Sequence, residues 1–357
     1  MDSNIKVSVI IPIYNGESYI NRVLSSFFRY PMKNLEIILV NDGSTDNTKE
    51  ICNEIVMREE NISVVHKNNG GLSTARNAGL KIAKGKYISF LDVDDYMDIG
   101  AYEKIIDIID KFAPDIIDFG WKYIDRRGEI SKNICKIKKN VLVDRNYILN
   151  DILPPLLNLT ANKDKFIYDF VWNKIFKMSI IKENNIIFDE SRRTWEDRVF
   201  LVEYLKYANS YFSMDVCLYN YVDVPNSLSR RYDMHFFDII LDNYKKYVAL
   251  FENFYDFDTL YANNYWSNSI ENMILRSLGE KESKREIRYN IINTLKNPIV
   301  NHWFLERQTS GISSITTFFV IKNKPYFAYY IYKLLFLIEQ VKMIASIVKN
   351  RIKSFVS

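Results

Sequence analysis

Tyr87-Ile88-Ser89-Phe90-Leu91-Asp92-Val93-Asp94-Asp95 is a short apolar run that stops in three carboxylates. Like charges this close are costly unless a cation or hydrogen bonds compensate them. A hard divalent ion held by carboxylate and phosphate oxygens does so naturally. The bland alternative is a solvated acidic loop in which Asp95 caps a helix, and for an isolated Asp-x-Asp tripeptide that alternative prevails. Position changes the weighting. The run from Tyr87 to Leu91 is the fourth of a series, after Val7 to Ile13, Leu35 to Val40 and Ile62 to Val65. Helical patterns separate them: Ser18 to Tyr30, a stretch using Ile51, Ile55 and Val56, and Leu72 to Lys84. Strands alternating with helices at this spacing imply parallel strands joined by right-handed crossovers, hence an open α/β sheet. Ligands bind such sheets beyond the carboxyl ends of the strands, where the three carboxylates sit.

Two more strand ends offer partners for a nucleotide. Pro12-Ile13-Tyr14-Asn15-Gly16 follows the first strand and Asp42 the second. An aromatic ring stacks on a base, and a carboxylate accepts base or ribose hydrogen bonds. Each feature alone is weak, since a strand-end Asp usually caps a helix and a Tyr usually packs. The stretch Asn68-Asn69-Gly70-Gly71-Leu72-Ser73-Thr74-Ala75-Arg76-Asn77-Ala78-Gly79 adds paired glycines, which allow close backbone approach, and a helix start that favours an anion. Arg76, one turn into that helix, suits either a diphosphate or the acidic cluster; for a lone helix arginine, a surface cation is the ordinary reading.

The 357 residues are 48% hydrophobic with only 11 glycines and 8 prolines, which excludes disordered and collagenous chains and permits one large domain or two ordinary ones. A net charge of +4, from 48 basic and 44 acidic residues, argues against a nucleic-acid partner. Cys52, Cys135 and Cys217 are widely separated and His66, His235 and His302 show no zinc spacing, so a reduced compartment is expected. No secretory signal opens the chain, and no stretch reaches the roughly 18 to 20 apolar residues that span a bilayer. The expectation is a cytoplasmic protein. After Tyr102 a helix runs through Phe112 and a strand covers Asp115 to Phe119, Asn158 to Ile187 is irregular and aromatic-rich, and long helical patterns dominate from about Asp233. A boundary near Pro225-Asn226-Ser227 gives domains 1–230 and 231–357.

Four segments resemble the inverting family 2 glycosyltransferases of the GT-A fold: Val-Ser-Val-Ile-Ile-Pro-Ile-Tyr-Asn at 7–15, Ile-Leu-Val-Asn-Asp-Gly-Ser-Thr-Asp at 38–46, Asn-Gly-Gly-Leu-Ser-Thr-Ala-Arg-Asn at 69–77 and Phe-Leu-Asp-Val-Asp-Asp at 90–95. The likeness is clear over residues 5 to 115 and weaker to about 230. It implies a nucleotide-sugar-binding, Rossmann-like catalytic domain followed by a helical region. Pro12, Tyr14 and Asp42 would surround the uracil and ribose of a UDP-sugar, with Asn68 and Arg76 near the nucleotide and its phosphates. Asp92 would contact ribose or donor sugar, Val93 would line the same site, and Asp94, with Asp92, would bind Mn²⁺ or Mg²⁺ bridging the diphosphate.

The family also uses a base drawn from a Glu-Asp pair that opens a helix. Thr194-Trp195-Glu196-Asp197-Arg198-Val199-Phe200 fits that pattern and precedes an amphipathic run through Leu205, which makes Asp197 the base and Glu196 its neighbour or an acceptor-binding group. The alternative is that both acids only complement the positive helix end. Trp172-Asn173-Lys174-Ile175-Phe176 resembles a segment of bacterial polysaccharide transferases that lines the acceptor side, with core packing of Trp172 at least as good a reading. Ser227-Leu228-Ser229-Arg230-Arg231 reads as a solvated linker or as a closure over the diphosphate. The Gln-x-x-Arg-Trp motif of processive synthases is absent, which favours single-sugar transfer.

The implied activity is metal-dependent, inverting hexosyl transfer from a UDP-sugar to a saccharide, lipid-linked ones included, in capsule, exopolysaccharide or cell-wall glycopolymer synthesis. Alternatives are a glycosyltransferase extending protein glycans, a sugar nucleotidyltransferase, which would want a glycine-rich basic loop after the first strand, and a non-catalytic UDP-sugar-binding scaffold. At the C-terminus Ile331, Leu334, Ile338, Val341, Ala345, Val348 and Ile352 keep a 3-4 spacing within a helix over 326–353. Lys333, Lys342, Lys349, Arg351 and Lys353 are set against the single acid Glu339. That helix packs on its own domain, lies on the inner face of the plasma membrane, or pairs subunits of a homo-oligomer, in that order of preference.

Overall fold

The computed structural model describes residues 5–28, 34–135, 137–157, 167–192, 194–224, 236–251, 259–279, 284–307, 312–322 and 324–338. In chain order the elements are β1 (Val7–Ile13), α1 (Ile20–Phe28), β2 (Leu35–Asp42), α2 (Thr48–Arg58), β3 (Ile62–Lys67), α3 (Leu72–Ile82), β4 (Tyr87–Phe90), β5 (Tyr96–Met97), α4 (Ala101–Phe112), β6 (Ile116–Ile124), β7 (Ile130–Asn133) and β8 (Leu142–Asp144). Then come α5 (Arg145–Tyr147), a π-helical turn (Ile148–Ile152), α6 (Leu153–Leu156), β9 (Lys174–Lys177), α7 (Met178–Glu183), α8 (Glu196–Leu205) and β10 (Ser210–Val222). Helices α9 (Phe236–Phe251), α10 (Thr259–Leu278), α11 (Lys284–Lys296), α12 (Pro298–Leu305) and α13 (Ile312–Ile321) follow, with a further helix over 325–338.

Every residue of β1 and β2 is buried, which is why both read as near-continuous apolar runs that do not alternate; the buried Ser8 hydroxyl donates to Glu36, and Asn41 and Asp42 close β2. β1 runs parallel to β2 on one side and β4 on the other, with Ile10 opposite both Ile38 and Phe90, and β3 extends the parallel set beyond β2. α1 lays Ile20, Val23, Leu24 and Phe27 into the core, the stripe its 3-4 spacing predicts. The sheet order is β3-β2-β1-β4-β9-β6-β10-β5. Beyond β4 it becomes mixed: β9 is antiparallel to β4 and β6, β10 is parallel to β6, and β5 is antiparallel to β10. The described part of the stretch expected to be irregular thus contains a central strand and a helix. Four residues of β9 are too few to show a period.

The chain divides into two compact units, Met1–Leu156 with Asn162–Ser227, and Leu157–Ala161 with Leu228–Ser357. The first is built on the sheet, around Val9, Ile11, Ile37, Leu39, Phe119 and Ile175. The second is helical, around Trp266, Ile270, Ile274, Leu295 and Trp303, with the two indoles 5.7 Å apart. In the 325–338 helix Pro325, Ala328, Tyr329 and Tyr332 are the buried residues, and the Tyr332 hydroxyl donates to Glu271 Oε1 of α10 at 2.9 Å. Leu334 of the expected seam is 57% exposed, so this part of the helix turns a different face inward. The expected boundary segment and residues 339–353 lie outside the described residues. Among the described residues no helix is long and apolar enough to cross a membrane.

Candidate active site

The carboxyl ends of β1, β2 and β4 bring their loops together. The Asn15 N–H donates to Ser44 Oγ at 2.9 Å, and Thr45 N–H returns a bond to Asn15 Oδ1 at 2.8 Å, stitching the first turn to the second. Gly16 lets the first turn approach the acidic loop. A Cβ there would lie 2.5 Å from Ile13 Cγ2 and 3.3 Å from Val93 Cγ2. Pro12 is buried within β1, whereas Tyr14 is 53% exposed, with its ring open to a stacking partner.

Asp42 is buried at the end of β2. Its Oδ1 accepts from the Gly70 N–H at 3.0 Å, its Oδ2 from the Gly71 N–H at 2.8 Å, and Lys67 Nζ pairs with it. Asn69 Nδ2 donates to the Asp42 carbonyl at 3.0 Å. The anion received by the paired glycines is therefore the chain's own Asp42. Lys67 also donates to the Asn68 carbonyl at 2.7 Å and to Thr74 Oγ1 at 2.9 Å, leaving the Asn68 side chain on the exposed face of this loop.

The acidic residues meet at Arg76, which is 1% exposed. Its Nη2 donates to Asp92 Oδ1 at 3.1 Å and its Nη1 to Asp197 Oδ1 at 2.5 Å, with a Glu196 oxygen at 4.0 Å. The guanidinium lies 5.2 Å from the Phe188 ring centroid and 5.8 Å from that of Phe90. Of the two ligands its position suggested, Arg76 takes the acidic cluster. Burial alone would favour a neutral arginine; Asp197, then Asp92 and Glu196, outweigh it and hold the guanidinium charged. Asp197 Oδ2 accepts from the Val171 N–H at 3.2 Å. Burial raises the Asp197 carboxyl in spite of Arg76, and burial with the charge of Asp197 pushes Glu196 up to about 7. Both acids stand in the first turn of α8, so they also face its positive end. The helix itself is not amphipathic: Phe200, Leu201, Val202, Tyr204 and Leu205 are all buried.

Of the three strand-end carboxylates, Asp95 has a purely structural task. It is 1% exposed and accepts from the Tyr219 hydroxyl at 2.6 Å and the Val222 N–H at 2.8 Å, so it anchors β10 and caps no helix. Asp94 is partly exposed; burial and the neighbouring Asp92 push its carboxyl up to about 6, with Arg22 opposing. Among the described residues no three His, Cys, Asp or Glu side chains are grouped for a metal. Asp92 and Asp94 nonetheless fit a hard divalent cation: they are adjacent carboxylates whose charges oppose each other, and phosphate oxygens and water would complete the ligand set.

Trp172 is core: 5% exposed, it stacks at 4.7 Å on Phe170 and 4.3 Å on Tyr219. Its neighbour Lys174 is fully buried, and Nζ donates to the carbonyls of Tyr168 at 2.7 Å and Phe170 at 2.9 Å and to Asn173 Oδ1 at 2.8 Å. The Trp-Asn-Lys segment therefore shapes the loop whose Val171 N–H holds Asp197. Sequence reasoning missed that role, and it missed the pairing of Lys67 with Asp42 and of Arg22 with the Asp94 carbonyl, 25 and 72 residues apart in the chain. His66 bonds Asn41 and Asn53, and Ser227 to Arg231 lie outside the described residues.

Residues 8–158 match the profile of Glycosyl transferase family 2. That stretch resembles a family 2 glycosyltransferase domain, and the mixed α/β sheet followed by helices is a GT-A-like fold. It is 32% identical over 225 residues to the uncharacterized glycosyltransferase EpsJ of Bacillus subtilis, covering 62% of each chain. It is 33% identical over 219 residues to the poly(ribitol-phosphate) beta-glucosyltransferase of Bacillus spizizenii, covering 60% of this chain and 32% of that one. The chain thus spans about three fifths of one curated relative and a third of the other. The structure of S. aureus TarS 1-349 in complex with UDP aligns with a TM-score of 0.61 at 20% identity, over 92% of this chain and 90% of that one. The corresponding complex with UDP-GlcNAc aligns with the same score over 91% of its chain.

Proposed function

We propose that the protein is a metal-dependent inverting glycosyltransferase that moves single sugars from a UDP-sugar to a saccharide acceptor in bacterial exopolysaccharide or teichoic-acid-type glycopolymer synthesis. The observation that carries this reading is the Arg76 bridge: one buried guanidinium joins Asp92 of the strand-end loop to Asp197, 121 residues from Arg76 in sequence. A scaffold has no need of two partly buried carboxylates held on one guanidinium beside a nucleotide-type strand end. The fold shared with TarS, whose structures hold UDP and UDP-GlcNAc, supports a uridine donor, and the likeness to a poly(ribitol-phosphate) beta-glucosyltransferase supports a glycopolymer product.

In this reading Tyr14 stacks on uracil between Pro12 and Asn68, and Asp42 holds the Asn68–Gly71 loop against the base while its remaining lone pairs accept from it. Asp92 orients the ribose or donor sugar, and Val93 packs the acidic loop on the first turn. Mn²⁺ or Mg²⁺ held by Asp94 and Asp92 would supply the positive charge that the departing diphosphate requires. Asp197 takes the proton of the acceptor hydroxyl as that oxygen attacks the anomeric carbon opposite UDP, which inverts the centre. Arg76 opposes the protonation that burial favours at Asp197, the Val171 N–H fixes its second oxygen, and Glu196 orients the acceptor. Residues 1–230 form the catalytic domain and 231–357 a helical domain, and a lipid-linked acceptor would bring the protein to the inner face of the membrane.

The test is UDP release from a panel of UDP-sugars with Mn²⁺ and then with EDTA, for wild type and Asp94→Ala. Slow donor hydrolysis that is abolished by EDTA and by the substitution is the expected result. Silence with every donor, together with no UDP binding by calorimetry, would overturn the assignment.

A further inference from the structure

The helical unit turns an apolar face outward. In the helix over 325–338, Pro325, Ala328, Tyr329 and Tyr332 point into the core. Tyr326, Phe327, Tyr330, Leu334 and Leu337 follow one another at steps of three or four residues on the outside, each half exposed or more. Of the described seam residues Ile331, Leu334 and Ile338, only Leu334 belongs to this stripe. α13 extends it: Phe319 stacks on Phe327 at 5.5 Å and 18°, and its neighbour Phe318 is exposed. Single apolar side chains are ordinary on a protein surface, but a continuous stripe of them marks a contact.

The charges around the stripe have one sign. Lys322 and Lys324 precede the helix and Lys333 lies within the stripe, all three exposed. From α11, Lys296 Nζ lies 5.7 Å from the Tyr326 ring centroid, and the Arg288 guanidinium 5.7 Å from that of Tyr330. No Asp or Glu occurs from Gln308 to Ile338, and α11 has the single acid Glu286. We infer that this face docks on the surface of an anionic lipid bilayer. Phe318, Phe327, Leu334 and Leu337 enter the acyl boundary, the tyrosines lie at headgroup level, and the lysines and Arg288 meet the lipid phosphates. The other side of the helix is committed to the core, and no described helix is long and apolar enough to cross, so the contact is with the surface alone. A second copy of the chain is a poorer occupant. Two-fold pairing would lay the stripe on itself and bring the same cations together with no acid in the stripe between them.

The test is co-sedimentation of the full chain with vesicles of phosphatidylcholine alone and of phosphatidylcholine mixed with phosphatidylglycerol, at low and high salt. Binding to the mixed vesicles that falls as salt rises is the expected result, with far weaker binding to phosphatidylcholine. Phe327→Ser combined with Leu334→Ser should weaken it at least about tenfold. Lys322→Gln, Lys324→Gln and Lys333→Gln together should weaken it on the order of a hundredfold. Melting temperatures equal to wild type identify the variants that have kept the fold, and if the serine pair loses it the lysine variant decides. No binding to the anionic vesicles, equal binding to both kinds, or unchanged binding in the folded variants overturns the docking face. So does self-association in sedimentation velocity that the serine pair abolishes, which would give the face to a second copy. UDP affinity enters none of these outcomes, so the docking face and the donor reading stand or fall separately.

Discussion

Arg76 sets the charge balance of the site. It is buried against three carboxylates, so Arg76→Met would leave Asp92 and Asp197 uncompensated. Breaking a buried pair in this way costs about 3–5 kcal/mol, which should appear as a lower melting temperature together with loss of transfer. The deficit should shrink at acid pH, where the carboxylates take up protons. Glu196 carries the opposite cost. Its folded-state pKa is pushed up to about 7 from an ordinary 4.5, so its contribution is fully present below pH 4.5 and lost as pH rises through about 7. Glu196→Gln should therefore gain stability relative to wild type between those pH values, which denaturant titrations at pH 4.5 and 7.5 would measure. Glu196 and Asp197 were legible as a pair at a helix start. That Arg76, and not the helix end alone, faces them was not.

Among the elements, the loops after β1, β2 and β3 are held to one another by hydrogen bonds. Gly43 takes a φ of 70°, and a Cβ on it would lie 2.5 Å from the backbone nitrogen of Asn69. Gly43→Ala combines a left-handed conformation, costing about 1–2 kcal/mol, with a collision against the loop that Asp42 holds. It should lower both the melting temperature and UDP affinity, as thermal melts and calorimetry would register. The turn at Asn41-Asp42-Gly43-Ser44 could be read from composition, β1 and β2 from apolar runs buried along their whole length, and α1 from burial that repeats at the helical period. β5 and β9 could not. Two and four residues long, they show no period and exist only because Tyr219 and Asn220 on one side, and Ser89 and Ile117 on the other, supply their ladders.

At the scale of the whole chain, two units with separate cores predict two unfolding transitions. UDP, if bound by the N-terminal unit, should raise only that unit's transition. Calorimetric scans with and without UDP would check this, and a single transition shifted as a whole would exclude it. Periodicity, turn residues and four short motifs were enough to read the alternating α/β architecture, the strand ends whose loops meet, and the family resemblance. They were enough because helix and strand periods, glycine turns and strand-end acids are written within ten or twenty consecutive residues. Partner choice is written nowhere so locally. Only the folded chain decides that Arg76 grips Asp197 and Asp92, that Asp42 spends its carboxylate on Gly70 and Gly71, and that Asp95 anchors β10. Each is a buried charge that must find whichever counterpart the packing brings within hydrogen-bond reach.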